Sequence, residues 1–224
     1  MPIARGCLRF LLAALFRVKV SGLENIPAGS AGFILAGAPH RNWAEPLLLH
    51  AYVGAKRRRM MTVADARAVS GNAIRALAAR SVGGVILVGP GSPRSVIEKI
   101  VQASAHLERG DVVAIFPEIG PPAPPPRLRR ISAGVAHISA RAGAQVVPVI
   151  FGGTEELYLG RRIEVTVLPP VAPPTGTSRR TITAWTAVFE ASAQAMADQM
   201  HKRANAKPPR NKRWRWLTGN YPRA

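Results

Sequence analysis

Short β-type apolar runs separated by helical patterns recur along most of this chain, and that alternation restricts the fold more than any other feature. The runs fall at residues 33–37, 59–63, 85–88, 112–116, 146–150 and 163–168. Several are continuously apolar, as strands covered on both faces are. Between them lie helical patterns at 45–53, 73–80, 93–108 and 132–142. In the third, Val96, Ile97, Ile100, Ser104 and Leu107 share one face, Ser92 stands at the N-cap position and Gly110 just past the end. Strands alternating with helices imply an α/β fold: a mostly parallel mixed sheet flanked by helices.

The two ends of the chain differ from this middle. Residues 8–16, LRFLLAALF, are apolar except for Arg9 and are bracketed by Arg5, Arg17 and Lys19. They fall short of the roughly 20 residues that cross a bilayer. RVKV follows, with no small-residue cleavage site of a signal peptide. The expectation is an N-terminal helix that is interfacial or docked on the core. A final helix is expected over about 183–201, with Trp185, Val188, Phe189, Ser192, Met196 and Met200 packed on the sheet. The organisation read from this is one domain over 1–201, including the N-terminal membrane-associated helix, and a basic aromatic tail over 202–224. Seven Lys and Arg and no acid lie between Lys202 and Arg215, with Trp214, Trp216 and Tyr221 among or beyond them.

Charge narrows the partners. Thirty-one Lys and Arg against twelve Asp and Glu give a net +19, a field that draws either nucleic acid or an anionic membrane. Basic residues flank apolar or aromatic segments at both ends, which favours lipid over nucleic acid. A peripheral position on the cytoplasmic face of a membrane is expected, with the tail either an anchor or a solvated extension. Cys7 is the single cysteine and the five histidines are scattered. Neither a disulfide nor a metal site is expected.

The most informative segment is 33–49, FILAGAPHRNWAEPLLL. An apolar strand ends near Gly37, His40 follows in a loop and Glu45 opens the next helix. Sites in open α/β sheets gather at the carboxyl ends of strands. On one continuous helix, five residues would turn His40 and Glu45 about 140° apart. The strand–turn–helix arrangement supplies the bend that lets them meet. An imidazole held by a carboxylate is a general base.

Three segments carry a resemblance to a known family. His40-Arg41-Asn42-Trp43-Ala44-Glu45-Pro46 is similar to the histidine motif of the glycerolipid acyltransferases (the lysophosphatidate acyltransferase family), with Glu45 where the family has Asp. VVAIFPEIG at 112–120 resembles the family's Phe-Pro-Glu-Gly element: Phe116, Pro117 and Glu118 match, Ile119 stands where Gly is usual, and Gly120 follows. GAQVVPVIFGGTEE at 143–156 resembles its Val-Pro-Val strand. Order and spacing agree over about residues 20–170.

The resemblance implies transfer of a fatty acyl group from acyl-CoA or acyl carrier protein to a hydroxyl of a lysophospholipid such as 1-acylglycerol-3-phosphate, in phospholipid biosynthesis. It implies His40 as base, Glu45 as its orienter, backbone amides at the helix start near the oxyanion, and no cofactor. Phe116, Pro117, Glu118 and Gly120 are then expected at the substrate. Where the family continues with Thr-Arg-Ser, this chain has a proline run, 121–126 with one Ala, followed by Arg127, Arg129 and Arg130. Those arginines are the candidate phosphate clamp. The family's Gly-rich element with an Arg appears only as 83–88, GGVILV, without that Arg. A different lipid or glycolipid acceptor, a non-catalytic lipid-binding relative and a nucleic-acid binder are the competing readings.

Overall fold

The computed structural model describes residues 2–54, 59–66, 84–89, 93–121 and 123–205. The helix expected at 73–80, Ser92 and nearly all of the basic tail lie outside them.

Among the described residues, seven strands form one sheet in the order β1-β9-β8-β2-β5-β3-β4. They are β1 (Phe16–Ser21), β2 (Phe33–Ala38), β3 (Met60–Asp65), β4 (Val85–Val88), β5 (Val112–Ile115), β8 (Val146–Gly152) and β9 (Arg161–Val167). Every neighbouring pair is parallel except β8 with β9. The expected mostly parallel mixed sheet is the observed one. Two short strands, β6 (Glu118–Ile119) and β7 (Arg130–Ile131), form a separate antiparallel hairpin.

Helices cover both faces. On one side lie α1 (Pro2–Leu15) and α2 (Ala44–Leu48), which continues as a π-helical turn, Leu49–Val53. On the other lie α3 (Pro93–Glu108), α4 (Gly134–Ala142) and α5 (Arg179–Asn205). β2 in the centre is buried at every position. Phe33 and Leu35 join the α1–α2 core, while Ile34 and Ala36 join the α3–α4 core. Period-2 geometry makes this division, and it explains why the strand reads as an unbroken apolar run.

Three expectations needed correction. Residues 16–21, FRVKVS, are a strand: Phe16, Val18 and Val20 face the core, and Arg17, Lys19 and Ser21 face out. The alternation is present in the sequence but is masked by the apolar run 8–16, which ends on Phe16. In α3 the buried stripe is Ala103, Ser104 and Leu107 with Ile100 half-buried, whereas Val96 and Ile97 are exposed. In α5 the stripe is Ile182, Phe189, Ala193, Ala197, Met200 and Ala204. Val188 is 68% exposed and Ser192 also faces solvent. Alanines let α5 lie close on β8, and an apolar-size pattern underweights them. Its bounds also pass those expected, so Lys202 and Arg203 are helical. At the end of α3, Gly110 has φ 82° and its N–H caps Leu107 C=O at 2.9 Å, the glycine stop expected there.

α1 is docked by one face. Leu12 is fully buried, Leu8 and Leu15 pack beside it, and Arg5 Nε donates to Ala51 C=O at 3.2 Å. Phe10 and Leu11 point away and are 79% and 55% exposed. No described helix is long and apolar enough to cross a membrane.

His50, in the π-helical turn, is buried and shares a 2.8 Å hydrogen bond with the Thr62 hydroxyl. Burial, with Arg5 nearby, pushes its pKa down to about 4. An unfolded histidine titrates near 6.5. Between those values the unfolded chain takes up a proton that the folded chain refuses, so stability falls as pH drops through that window. In urea titrations at pH 7 and pH 5, His50→Gln should lose less stability between the two than the wild type does.

Candidate functional site

Two prolines follow the ends of neighbouring strands. β5 stops at Ile115, in register with Ala36 of β2, and Phe116-Pro117 follows. β2 stops at Ala38, and Pro39 follows with a cis Ala38–Pro39 peptide. Proline has no N–H to extend a ladder. The chain after each strand is therefore released at the carboxyl edge of the sheet, and the structure brings these two loops together.

His40 lies in the loop after β2. Its ring packs against Phe116, with centroids 4.5 Å apart and planes at 35°. Phe116 in turn stacks at 6.1 Å on Phe151 of β8. Gly37 makes this possible: a Cβ there would sit 2.5 Å from Phe116 Cε1. Glu45, in the first turn of α2, is fully buried. Its Oε2 accepts the Asn42 N–H at 2.8 Å and stands 3.6 Å from His40 Nδ1. The His40 side chain keeps 24% of its surface exposed, so a reacting group can reach it. The extra methylene of Glu45, relative to the Asp of the motif it resembles, is accommodated by seating one oxygen on the turn backbone.

Asn42 is a residue the sequence reading passed over. Its Oδ1 accepts the Ala44 N–H at 2.9 Å, and its Nδ2 donates to Thr154 C=O. It pins the turn between His40 and α2 to the loop after β8. Only its place inside the histidine motif pointed to it. Of the backbone amides at the start of α2, where an oxyanion contact was expected, those of Asn42 and Ala44 are engaged within the turn.

Glu118 and Arg129 sit against the same loop. Glu118 Oε2 accepts the His40 N–H, and Oε1 accepts the Arg129 N–H at 2.8 Å. Arg129 Nη2 donates to His40 C=O at 2.6 Å and Nη1 to Gly120 C=O at 3.4 Å. Pro117 C=O accepts the Ser132 N–H at 2.7 Å. Arg127 and Arg130 are exposed. Arg41 spans the proline run, donating to Ala123 C=O and Arg127 C=O at 2.8 Å each. Burial lowers its guanidinium from the usual value, opposed by Glu118, Glu155 and Glu45, and an arginine so placed still carries its charge. Beside it opens a shallow recess lined by Pro39, Arg41, Pro125, Phe151, Glu155 and His201. Among the described residues, no group of three or more His, Cys, Asp or Glu side chains is placed to hold a metal ion.

The family and the fold are shared with known proteins. The family model described as Acyltransferase matches residues 17–152. This chain belongs to that acyltransferase family. Uncharacterized proteins from two strains of Mycobacterium tuberculosis and from Mycobacterium bovis are 31% identical to it over 166 residues. The match covers 70% of this chain but 43% of each relative, so the chain spans less than half the length of these curated proteins. The crystal structure of the 1-acyl-sn-glycerophosphate acyltransferase PlsC from Thermotoga maritima has the same fold. Its TM-score is 0.62 at 18% identity, over 87% of this chain and 80% of that one.

Gly37→Ala tests the packing beneath the site. The new methyl has to displace the Phe116 ring, and overpacking of this kind costs about 1–3 kcal/mol. Denaturant unfolding should show that loss. The tilt and contact of the His40 ring should change with it, visible as shifted His40 ring resonances in NMR spectra.

Proposed function

We propose that this acyltransferase moves a fatty acyl group from a thioester, acyl-CoA or acyl carrier protein, to a hydroxyl of a lysophospholipid such as 1-acylglycerol-3-phosphate. The observation that carries the reading is a part-exposed imidazole beside a fully buried carboxylate, at the carboxyl edge of the sheet. Glu45 faces Nδ1, which favours the tautomer with its proton there and leaves the Nε2 lone pair for chemistry. Nε2 takes the proton of the acceptor hydroxyl as the oxygen attacks the thioester carbonyl carbon. The new C–O bond forms, the C–S bond breaks, and the thiolate leaves with the proton held by the imidazolium. Ester and free thiol result, with no acyl-enzyme and no cofactor in the cycle. Glu45 stabilises the transient His40 cation. The 3.6 Å gap is of the kind that tightens when substrate binds.

Exposed Arg127 and Arg130 beside the site fit a phosphate on the acceptor. A different lipid acceptor is favoured by one observation: Arg129 is turned onto the protein backbone. Work at a membrane surface fits the outward Phe10 and Leu11, which lie near exposed Arg9 and Arg17.

Thiol release with acyl-CoA and lysolipid acceptors, with products identified by mass spectrometry, tests the activity. His40→Ala should lower turnover by roughly 10²–10⁴-fold, the range of general-base catalysis. Glu45→Gln should lose most activity and Glu45→Asp should keep it. Near-normal turnover in His40→Ala refutes the mechanism.

Membrane attachment has its own check. Each cation near an anionic surface contributes about 1 kcal/mol. Flotation with anionic vesicles should weaken as salt rises, and should weaken further in Phe10→Ser/Leu11→Ser. Equal flotation of wild type and variant means that α1 does not insert.

A further inference from the structure

The β6–β7 hairpin reads in sequence as a substrate-contacting element, yet two of its polar side chains, Glu118 and Arg129, are turned to main-chain groups and meet at those of His40. Both oxygens of Glu118 are occupied by backbone N–H groups, that of His40 and that of Arg129. The Arg129 guanidinium returns to His40 from the other side and donates to its C=O at 2.6 Å. The N–H and the C=O of His40 are thus both held by one hairpin, the first through a carboxylate and the second through a guanidinium. Hydrogen bonds with one ionised partner are roughly twice as strong as neutral ones. Fixing the peptide groups on either side of His40 sets its φ and ψ, and with them the place of the imidazole against Phe116.

The hairpin is itself fastened. The carboxylate of Glu190 on α5 accepts the Ile131 N–H at 3.1 Å, and Gln194 takes the Leu128 N–H at 2.8 Å and donates to Pro126 C=O at 3.3 Å. From the opposite side, Arg41 holds the carbonyls of Ala123 and Arg127. Between the two strands, residues 123–127 are thus bound by Arg41 on one side and Gln194 on the other. A rigid strap therefore runs from α5 to the loop after β2 and ends on His40.

We infer that Glu118 and Arg129 are positioning residues that hold His40 by its main chain, and that, of the three arginines after the proline run, phosphate recognition falls to Arg127 and Arg130. The inference rests on His40 being the general base. It differs from a role in acceptor binding by a measurable split. A positioning residue acts through the base, so its loss lowers kcat and leaves the acceptor KM near its original value.

The test is steady-state kinetics of Glu118→Gln and Arg129→Met with acyl-CoA and 1-acylglycerol-3-phosphate, alongside Arg127→Ala and His40→Ala. Glu118→Gln keeps the shape but turns an amide NH₂ toward a backbone N–H, which breaks one of the two contacts. The expected result is a fall in kcat of about 10²-fold, the cost of a small misplacement of a catalytic group, at unchanged acceptor KM. Arg127→Ala should do the reverse. Adding Glu118→Gln to His40→Ala should lower the residual rate no further, because the base it serves is gone. A raised acceptor KM at preserved kcat in Glu118→Gln or Arg129→Met overturns the inference. So does an equal further loss on the His40→Ala background. Where Glu118→Gln does not fold, Arg129→Lys, which keeps the charge but not the fork, carries the same comparison. If His40→Ala retains turnover, the general-base reading fails instead. The bracket is then decided by amide exchange at His40, which should accelerate in Glu118→Gln, and unchanged exchange overturns it.

Discussion

The site depends on two adjacent strands stopping within two residues of each other, each just ahead of a proline that cannot extend a ladder. β2 gives way at Pro39 and β5 at Phe116-Pro117, while β8 beside them continues to Gly152. A sheet buried on both faces offers no place for a polar side chain within its strands. Polar groups can gather only where the strands end. Staggered ends leave a notch, and His40 and Glu118 meet in it, each the first polar residue after its strand. Gly37, one residue before the end of β2, adds what the notch needs beneath it. Without a Cβ, it lets the Phe116 ring cross the strand and form a floor for the imidazole.

Buried charge is handled with similar economy. A carboxylate wholly out of water is costly unless it is hydrogen-bonded or paired. Glu45 meets that requirement with one oxygen: Oε2 takes the Asn42 N–H and faces the His40 ring, while Oε1 is buried with no hydrogen-bond partner among the described residues. The second buried charge, Arg161, is matched more completely. It donates to Gly153 C=O, Tyr158 Oη, Glu155 and Asn205. Asn205 and His201 also meet Glu155. The end of α5 is thereby locked to the turn between β8 and β9, behind the recess that borders the site. The strap from α5 to the His40 loop starts from a helix fixed at its far end by this network.

The surplus of positive charge has a different character. Arg17 and Arg162 are register partners on β1 and β9, and both are exposed. β9 runs antiparallel to β8, so these residues lie toward the carboxyl ends of the central strands, as do Arg127 and Arg130. Like charges side by side on a sheet repel. A chain that keeps them at the edge bearing His40 sets up a positive field there.

What the sequence determined by itself was whatever local chemistry dictates. Continuous apolar runs marked the buried strands at 33, 112 and 146, and Gly110 marked the end of α3. The order of three motifs named the family and singled out His40 and Glu45. The exceptions on this local level were β1, whose alternation was masked by the apolar run before it, and the faces of α3 and α5. Periodicity says that a helix has an apolar side, but not how far a neighbour reaches along it. Val96, Ile97 and Val188 stayed exposed, and the alanines of α5 proved to be the contact. Tertiary structure alone decided what each polar side chain faces. Nothing in the order of residues could tell that both oxygens of Glu118 are taken by main-chain N–H groups from positions 40 and 129, that Arg129 answers the carbonyl of His40, or that Asn42 reaches Thr154. Those partners lie 11 to 112 residues apart in the chain. They are set by the stagger of strand ends and the path of the proline run, which are properties of the packed sheet and not of any one segment.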